Sequence, residues 1–336
     1  MSEQAAAQGA TARGSDDAGR DASLTSVMAA LAANTLIATA KGVAAAMTGS
    51  AALFAETLHT VADAGNEVFL YIAIRRSARE PDASHPLGYG PERYYWALLA
   101  AIGIFVVGGA VSIWEGVNAL VHPPELEAFW VGVGVLVFAI VLDGLSRAVA
   151  VRELRGRASR AGIPVRQLLD ESSDPTVTTV YLEDTVDVIG ATLALAALVL
   201  HKVTGLAIFD PLATVIIGVL LTFVAYRLSG RNRALLTNQA VPERHVEALR
   251  QRLLAQPGIT GVDRMEAVHL GPASVLAAAE VEVRNCFTAA DVAATLHTVR
   301  TRMKSEVPEI TRLYLTPVNG HADPDADALP SVTLPA

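Results

Sequence analysis

Six long apolar segments, separated by polar loops, constrain the fold of this chain more than any other feature of its sequence. A run of about 20 apolar residues forms a helix long enough to cross the hydrocarbon core of a bilayer. Hydrophobic residues make up 52% of the chain and charged residues 18%, a balance too apolar for an ordinary soluble domain. The sequence therefore predicts an α-helical polytopic membrane protein with six transmembrane helices, at residues 24–47, 50–76, 94–120, 128–151, 177–200 and 210–227.

After the sixth segment, the hydrophobic pattern becomes that of a small water-soluble domain. Apolar residues recur at helical spacing over 242–255 and 289–304, and the residues alternate over 262–270 and 275–283. Leu313-Tyr314-Leu315 is expected to form a third strand. This order predicts a compact α+β layer of helix, strand, strand, helix, strand. We therefore expect a disordered tail at 1–23, a transmembrane domain at 24–238, the α+β domain at 239–318 and a disordered tail at 319–336.

The basic residues of the loops predict how the chain is oriented. On one side of the predicted membrane, Lys202 is the only lysine or arginine in the loops. The loops on the other side contain Arg75, Arg76, Arg79, Arg93, Arg147, Arg152, Arg155, Arg157, Arg160, Arg166, Arg227, Arg231 and Arg233. By the positive-inside rule, the arginine-rich side is cytoplasmic. Because six spans return the chain to the side where it began, both termini are expected in the cytoplasm, with the protein in the cell (inner) membrane.

A stripe of polar side chains runs along the second segment, inside the predicted membrane. It consists of Glu56, His59, Asp63, Asn66 and Glu67. The first four lie within roughly 80° of one another on a helix that turns by about 100° per residue, and the fifth extends the same face. An isolated charge at that depth costs about 2.5 to 3.5 kcal/mol. Such a stripe indicates either polar partners on neighbouring helices or a metal ion, and His59 with Asp63 could supply half of a tetrahedral Zn²⁺ site.

The fifth segment contains three carboxylates, Glu183, Asp184 and Asp187. They cannot all stay ionised in a membrane helix without a cation, because burial and like charges both disfavour the ionised forms. Two pairings are possible on one helical face: Glu183 with Asp187, or Asp184 with Asp187. The second and fifth segments cross the membrane in opposite directions, so either pair can lie at the depth of His59 and Asp63 and complete a metal site. The alternative is that the three carboxylates lie at the cytoplasmic end of the helix bundle and bind no metal.

Composition excludes several other classes of function. The chain has one cysteine, Cys286, so a thiolate-based metal site is excluded. A formal net charge of -8 argues against a nucleic-acid partner. An intramembrane metal-dependent hydrolase is disfavoured because the motifs H-E-x-x-H and G-x-S-x-G are missing, so we expect no enzyme. A metal-binding membrane sensor or scaffold that transports nothing remains a further alternative.

Over residues 24–318 the chain resembles the cation diffusion facilitators, which export divalent metals. The motifs that carry the resemblance are Thr48-Gly49-Ser50-Ala51-Ala52-Leu53 ahead of Glu56, His59 and Asp63, and Asp210-Pro211 at the sixth segment. His85-Pro86-Leu87-Gly88-Tyr89-Gly90-Pro91-Glu92-Arg93-Tyr94 together with Glu183-Asp184 is similar to the zinc transporter 9 subgroup. The resemblance implies six spans, a cytoplasmic ferredoxin-like (αββαβ) domain and a homodimer in the lipid bilayer.

The resemblance also implies roles for individual residues. His59 and Asp63 match the ligand pair of the family's second span. In the fifth span the match is divided: Glu183 has the four-residue spacing to Asp187 that the family's ligand pair has, whereas Asp184 has the same neighbouring residues as the family's ligand. Glu56, Asn66 and Glu67 are expected to support the ligands or line the pathway, as are Asp82 and His85 in the following loop. Some members bind metal in that loop, where Asp82 matches but Tyr89 replaces a histidine.

The expected function is proton-coupled export of a divalent transition metal by alternating access. The expected cargo is Zn²⁺, and Co²⁺, Cd²⁺, Fe²⁺ and Mn²⁺ are the alternatives. The ligand types do not decide among these metals, because the affinity of a site follows the Irving–Williams order whatever the physiological cargo. No prosthetic group is expected. The soluble domain lacks the histidine-rich set of other members, since His245, His269 and His297 lie far apart in sequence, and no metal site is expected there.

Overall fold

The computed structural model describes residues 27–123, 126–173, 175–284 and 288–318. The tails predicted as disordered, 1–23 and 319–336, lie outside these ranges, as does Cys286. The chain divides into two compact units after Thr237. The assignment of residues 24–238 to a transmembrane domain and of residues 239–318 to a separate α+β domain stays a prediction.

The first unit is a bundle of long helices. Within the described ranges, five helices are long and apolar enough to cross a membrane: Val27–Thr48, Glu92–Val121, Phe129–Ala161, Tyr181–Thr204 and Phe209–Leu236. One more long helix, Ala51–Ser77, has 27 residues but carries the polar stripe, which lowers its mean hydropathy. We number the six helices in chain order as the first to sixth spans, so that Ala51–Ser77 is the second span. The helix of the fifth span begins at Pro175. The predicted six-span α-helical architecture is confirmed.

The fourth and sixth spans are longer than predicted. They end at Ala161 and Leu236, whereas the apolar pattern predicted ends at 151 and 227. The added turns are polar and basic, and they remain helical because backbone hydrogen bonds within a helix do not require lipid. The fourth span stops at Gly162, whose φ of 66° lies in the left-handed region favoured by glycine. A short helix, Val165–Glu171, follows it.

Small residues allow the spans to approach one another closely. A Cβ added at Gly109 of the third span would lie 2.6 Å from Thr222 Oγ1 of the sixth. One added at Gly218 of the sixth span would lie 2.7 Å from Ile113 Cγ1 of the third. The third span contains a π-helical segment, Ile104–Ala110, at this crossing. Close packing of glycines is the usual way in which membrane helices associate, since lipid removes the hydrophobic driving force.

The second span begins at a cap built from two parts of the chain. Ser50 is its N-cap, and Ser50 Oγ accepts a hydrogen bond from Leu53 N at 3.1 Å. Asp210 of the sixth span accepts hydrogen bonds from Ser50 Oγ at 2.5 Å, from Ala51 N at 2.6 Å and from Ala52 N at 3.3 Å. An acidic residue followed by proline is a common helix start, and Asp210-Pro211 alone would predict that Asp210 caps its own helix; the structure shows otherwise. The sixth span starts at Phe209 with Ile208 as N-cap, and the carboxylate binds the N-terminus of the second span instead.

The second unit contains a three-stranded sheet and two helices. The elements are the helix Glu243–Leu254, β1 Ile259–Gly271, β2 Ser274–Val283, the helix Ala289–Glu306 and β3 Ile310–Val318. β1 pairs antiparallel with β2, which pairs in parallel with β3. A capping box starts the second helix, where Thr288 and Asp291 exchange side-chain and backbone hydrogen bonds; these bonds lower the pKa of Asp291. The predicted αββαβ order is confirmed.

Candidate metal centre

The second and fifth spans bring together one histidine and two carboxylates. His59 Nδ1 lies 3.5 Å from Asp63 Oδ1, and His59 Nε2 lies 3.3 Å from Asp187 Oδ1. One potential ligand atom from each residue lies within 4.8 Å of the others. In the part of the chain that the structure describes, this is the only group of three or more such residues with that geometry. We call these three residues the triad.

Two members of the triad, His59 and Asp63, are buried and have polar atoms without a hydrogen-bond partner, whereas Asp187 is partly buried. His59 is 1% exposed and Asp63 is 6% exposed. Although both imidazole nitrogens are close to carboxylate oxygens, neither makes a hydrogen bond of acceptable geometry, and Asp63 Oδ1 has no partner either. Unsatisfied buried polar groups cost about 1 to 3 kcal/mol each. A cation bound by one imidazole nitrogen and the carboxylate oxygens near it would satisfy several of these atoms, and a mixed nitrogen and oxygen donor set suits Zn²⁺.

Neither of the two predicted partners of Asp187 joins the triad. Glu183 is buried and accepts a hydrogen bond from Asn66 Nδ2 at 2.7 Å. Asp184 is only partly buried and accepts a hydrogen bond from Ser146 Oγ of the fourth span at 3.4 Å. Of the three predicted residues of the fifth span, Asp187 is therefore the one placed against the second-span pair. Glu183 lies about one turn away on the same helical face, on the side of the Ser77 end of the second span.

Glu56, the first residue of the polar stripe, forms an ion pair that sequence reasoning missed. Lys41 Nζ of the first span lies 3.1 Å from Glu56 Oε2 and 3.0 Å from Thr60 Oγ1. Lys41 is 1% exposed and Glu56 is 0% exposed. The signal was present in the sequence, because a lysine inside an apolar span needs a counter-charge. Glu56 is thus held by Lys41 and is not a member of the triad.

Two further carboxylates lie around the triad. Asp143 of the fourth span is within electrostatic range of Asp187 and Lys41, and its Oδ2 is buried without a hydrogen-bond partner. Sequence reasoning missed Asp143, although a carboxylate within an apolar span is itself a signal. Glu67 is part-buried and acts electrostatically on Glu183. The centre therefore lies within a wider acidic region.

The loop after the second span is organised by Asp82. Its Oδ1 accepts hydrogen bonds from Ser84 N, Ser84 Oγ and His85 N, and its Oδ2 accepts one from Tyr89 Oη at 2.7 Å. The Ser84 and Tyr89 hydroxyls, followed by the His85 amide, lower the pKa of Asp82. His85 stacks on Tyr89 with ring centroids 4.1 Å apart. Asp82 and His85 thus shape this exposed loop, and both carboxylate oxygens of Asp82 accept hydrogen bonds within it.

The three histidines of the C-terminal domain lie on separate elements. His245 and His297 are exposed on the two helices, and His269 is buried in β1. Burial lowers the pKa of His269, partly offset by Glu309. The expectation about metal binding in this domain remains a prediction.

The fold and the triad define a multi-pass membrane protein with a histidine and carboxylate centre between two of its helices. The chain belongs to the cation efflux family, whose transmembrane domain model matches residues 27–237. The resemblance to the cation diffusion facilitators and the zinc transporter 9 subgroup is confirmed by this match and by the relatives that follow.

Curated relatives come from animals, plants and bacteria. The proton-coupled zinc antiporter SLC30A9, mitochondrial, of Homo sapiens is 33% identical over 256 residues, which cover 76% of this chain and 45% of that protein. Metal tolerance protein C4 of Arabidopsis thaliana is 33% identical over 68% of this chain and 50% of that protein. The chain thus spans about half the length of these two relatives. The cation-efflux pump FieF of Cronobacter sakazakii is 28% identical over 76% of this chain and 79% of that protein.

Solved structures of the MamM CTD are similar to part of this chain. The copper form matches with 19% sequence identity and a TM-score of 0.21, covering 24% of this chain and 91% of that chain.

Proposed function

We propose that this protein carries divalent transition-metal ions, Zn²⁺ foremost, across a membrane in exchange for protons. The observation that carries the proposal is the triad itself. A histidine and two carboxylates from two different spans converge inside the membrane-spanning unit, with the imidazole nitrogens free of hydrogen bonds. Intramembrane ionisable groups mark ion pathways, because their burial is costly without a function. Relatives described as a proton-coupled zinc antiporter and a cation-efflux pump support the cargo and the coupling.

The fourth ligand in this proposal is Glu183. It is buried and lies four residues before Asp187, so a rotation of its side chain away from Asn66 would direct it toward the triad. Asp184 is the alternative, but it faces Ser146 of the fourth span. The resulting set of one nitrogen and three oxygen donors would accept Zn²⁺, Co²⁺, Cd²⁺, Fe²⁺ or Mn²⁺. Selectivity among them depends on geometry, since raw affinity follows the Irving–Williams order.

Proton coupling follows from the chemistry of the ligands. Metal binding requires a neutral imidazole and ionised carboxylates, so loading a metal releases protons and proton binding expels the metal. Imidazole is the ligand that ordinarily changes charge near neutral pH, which assigns this role to His59. Metal-loaded and proton-loaded forms would then return in opposite directions as the spans expose the site alternately to the two sides.

The proposal includes an arrangement in the membrane. In this arrangement the C-terminal domain and both termini lie in the cytoplasm and the protein lies in the cell (inner) membrane, an orientation supported by the positive-inside rule applied to the arginine-rich loops. The C-terminal domain would pair with its copy to form a homodimer, because a three-stranded layer with two helices is small for an independent core.

Ion flux in sealed vesicles tests the proposed function and separates it from a sensor or scaffold that moves nothing. The purified protein is reconstituted in proteoliposomes, and Zn²⁺, Co²⁺, Cd²⁺, Fe²⁺ and Mn²⁺ are added outside while internal metal and pH dyes are recorded. We expect Zn²⁺ entry accompanied by proton exit, driven further by an inward-acidic pH gradient. Metal binding without any metal flux would contradict the proposal and favour the sensor.

A further inference from the structure

The triad lies between two polar contacts that join different spans. On one side, Asn66 of the second span donates a hydrogen bond to Glu183 of the fifth. On the other side, Lys41 of the first span holds Glu56 of the second. The Lys41 and Glu56 pair therefore lies toward the Ala51 end of the second span.

The same side of the triad is closed by a contact between the second and fifth spans. Glu56 precedes His59 by three residues, and Gly190 follows Asp187 by three residues, so both lie about one turn from the triad. Because the two spans run in opposite directions, both fall on the same side. A Cβ added at Gly190 would overlap with Glu56 Oε1, which shows that the carboxylate fills the space beside the glycine.

Glu56 also has a carboxylate oxygen that is available to bind a cation. Its Oε2 accepts a hydrogen bond from Lys41, but its buried Oε1 has no hydrogen-bond partner. The Lys41 ammonium is within electrostatic range of Asp187 and Asp143 as well as of Glu56. Its charge therefore acts on carboxylates other than Glu56, although its hydrogen bonds go to Glu56 and Thr60.

We propose that Lys41, Glu56 and Gly190 form the gate of the ion pathway on the Ala51 side of the triad, with the Lys41 ammonium as a tethered cation that a departing metal ion displaces from Glu56. The proposal rests on the transport function proposed above. In this exchange the metal ion moves from Asp187 toward Glu56, and the ammonium turns from Glu56 toward the carboxylates that the metal leaves. Because the ammonium carries one charge and the metal ion two, a proton taken up by one of those carboxylates, as the proposed exchange of metal for protons supplies, completes the charge balance. The pair closes the path to other ions, yet it offers the metal a ligand.

The decisive variant replaces both charges by apolar side chains, as in Lys41→Met combined with Glu56→Leu. Buried ion pairs often accept such a replacement without loss of stability, whereas removal of one partner leaves a buried charge unpaired. We expect the double variant to be folded and to bind Zn²⁺ as the parent does, because His59, Asp63 and Asp187 are unchanged. Its Zn²⁺ flux in proteoliposomes should fall to the level of protein-free vesicles. Parental flux in this variant would overturn the gate and assign the ion pair a structural role only.

Two further variants separate chemistry from packing. Glu56→Asp retains the carboxylate, so it should recover part of the flux that the double variant loses; flux no higher than that of the double variant would count against the gate. Gly190→Ala introduces a methyl group where the Glu56 carboxylate lies, so that carboxylate must move, and the Zn²⁺ flux should fall by about tenfold, as for a barrier higher by about 1.4 kcal/mol. Gly134→Ala is the matched control, since a Cβ there meets nothing within 4 Å. Equal flux in the two alanine variants would argue against a gate at Gly190.

The parent measured in the same vesicles separates failure of the gate from failure of the transport function. If the parent binds Zn²⁺ and moves none, the transport function fails and the gate fails with it. If the parent and the double variant move Zn²⁺ equally well, the transport function stands and the gate alone is refuted.

Discussion

The cap that joins the sixth span to the second allows a quantitative test of how the bundle is held together. In Asp210→Ala, the backbone amides of Ala51 and Ala52 and the Ser50 hydroxyl lose their common acceptor. Two orphaned buried amides cost about 1 to 3 kcal/mol each, and loss of an anion at a helix N-terminus costs about 0.3 to 2 kcal/mol. Relief of the desolvation of Asp210, which is 1% exposed, offsets part of this loss. We expect a net loss of roughly 3 kcal/mol.

The measurement is the free energy of unfolding of the purified protein in mixed detergent micelles. Asp210→Asn keeps one acceptor oxygen but loses the charge, so it should lose roughly half as much stability as Asp210→Ala. Asp170→Ala makes the same chemical change at an exposed site and should change the stability by no more than about 0.5 kcal/mol. If Asp210→Ala is as stable as Asp170→Ala, the cap does not hold the second span, and the reasoning is refuted.

Three further predictions concern the ligands and the C-terminal domain. Glu183→Gln should greatly weaken Zn²⁺ binding measured by titration calorimetry while Asp184→Asn has a mild effect; the reverse order would favour Asp184 as the fourth ligand. His59→Asp should shift the preference of transport toward Mn²⁺ or Fe²⁺ and make export less sensitive to pH near neutrality, because carboxylates replace the imidazole; an unchanged metal preference and pH profile would move proton exchange to the fifth span. Deletion of the residues after Gln239 should weaken dimerisation, measured by light scattering, and reduce export while Zn²⁺ binding persists; a dimeric, active truncation would contradict this.

Patterns along single helices predicted much of the fold and the centre of the candidate site. Apolar length predicted the spans, and the 100° spacing predicted that Glu56, His59, Asp63 and Asn66 share a face that is buried in the structure. The opposite directions of the second and fifth spans predicted that a pair of fifth-span carboxylates could lie at the depth of His59 and Asp63. Asp187 is the one placed against them, but the spacing alone could not decide the positions of Glu183 and Asp184, because helix rotation depends on packing against neighbours.

Contacts between spans were the part that periodicity could not predict. The sequence Asp210-Pro211 reads as an ordinary helix start, yet its carboxylate binds another helix 160 residues earlier in the chain at Ser50. Lys41 and Glu56 belong to different spans, so neither helix alone shows that they pair. The polar ends of the fourth and sixth spans were missed for a different reason: apolar length measures the part of a helix in lipid and not the whole helix.

Zn²⁺ uptake by proteoliposomes that contain Asp63→Ala, recorded beside the parent, tests whether the triad is the transport site. Asp63 lies in the triad with its Oδ1 unpartnered, so its removal takes away an ionic ligand and relieves a buried charge at the same time. We expect a folded, inserted variant with neither Zn²⁺ uptake nor Zn²⁺-driven proton exit. Uptake at the parental rate by Asp63→Ala would place the transport site elsewhere in the protein.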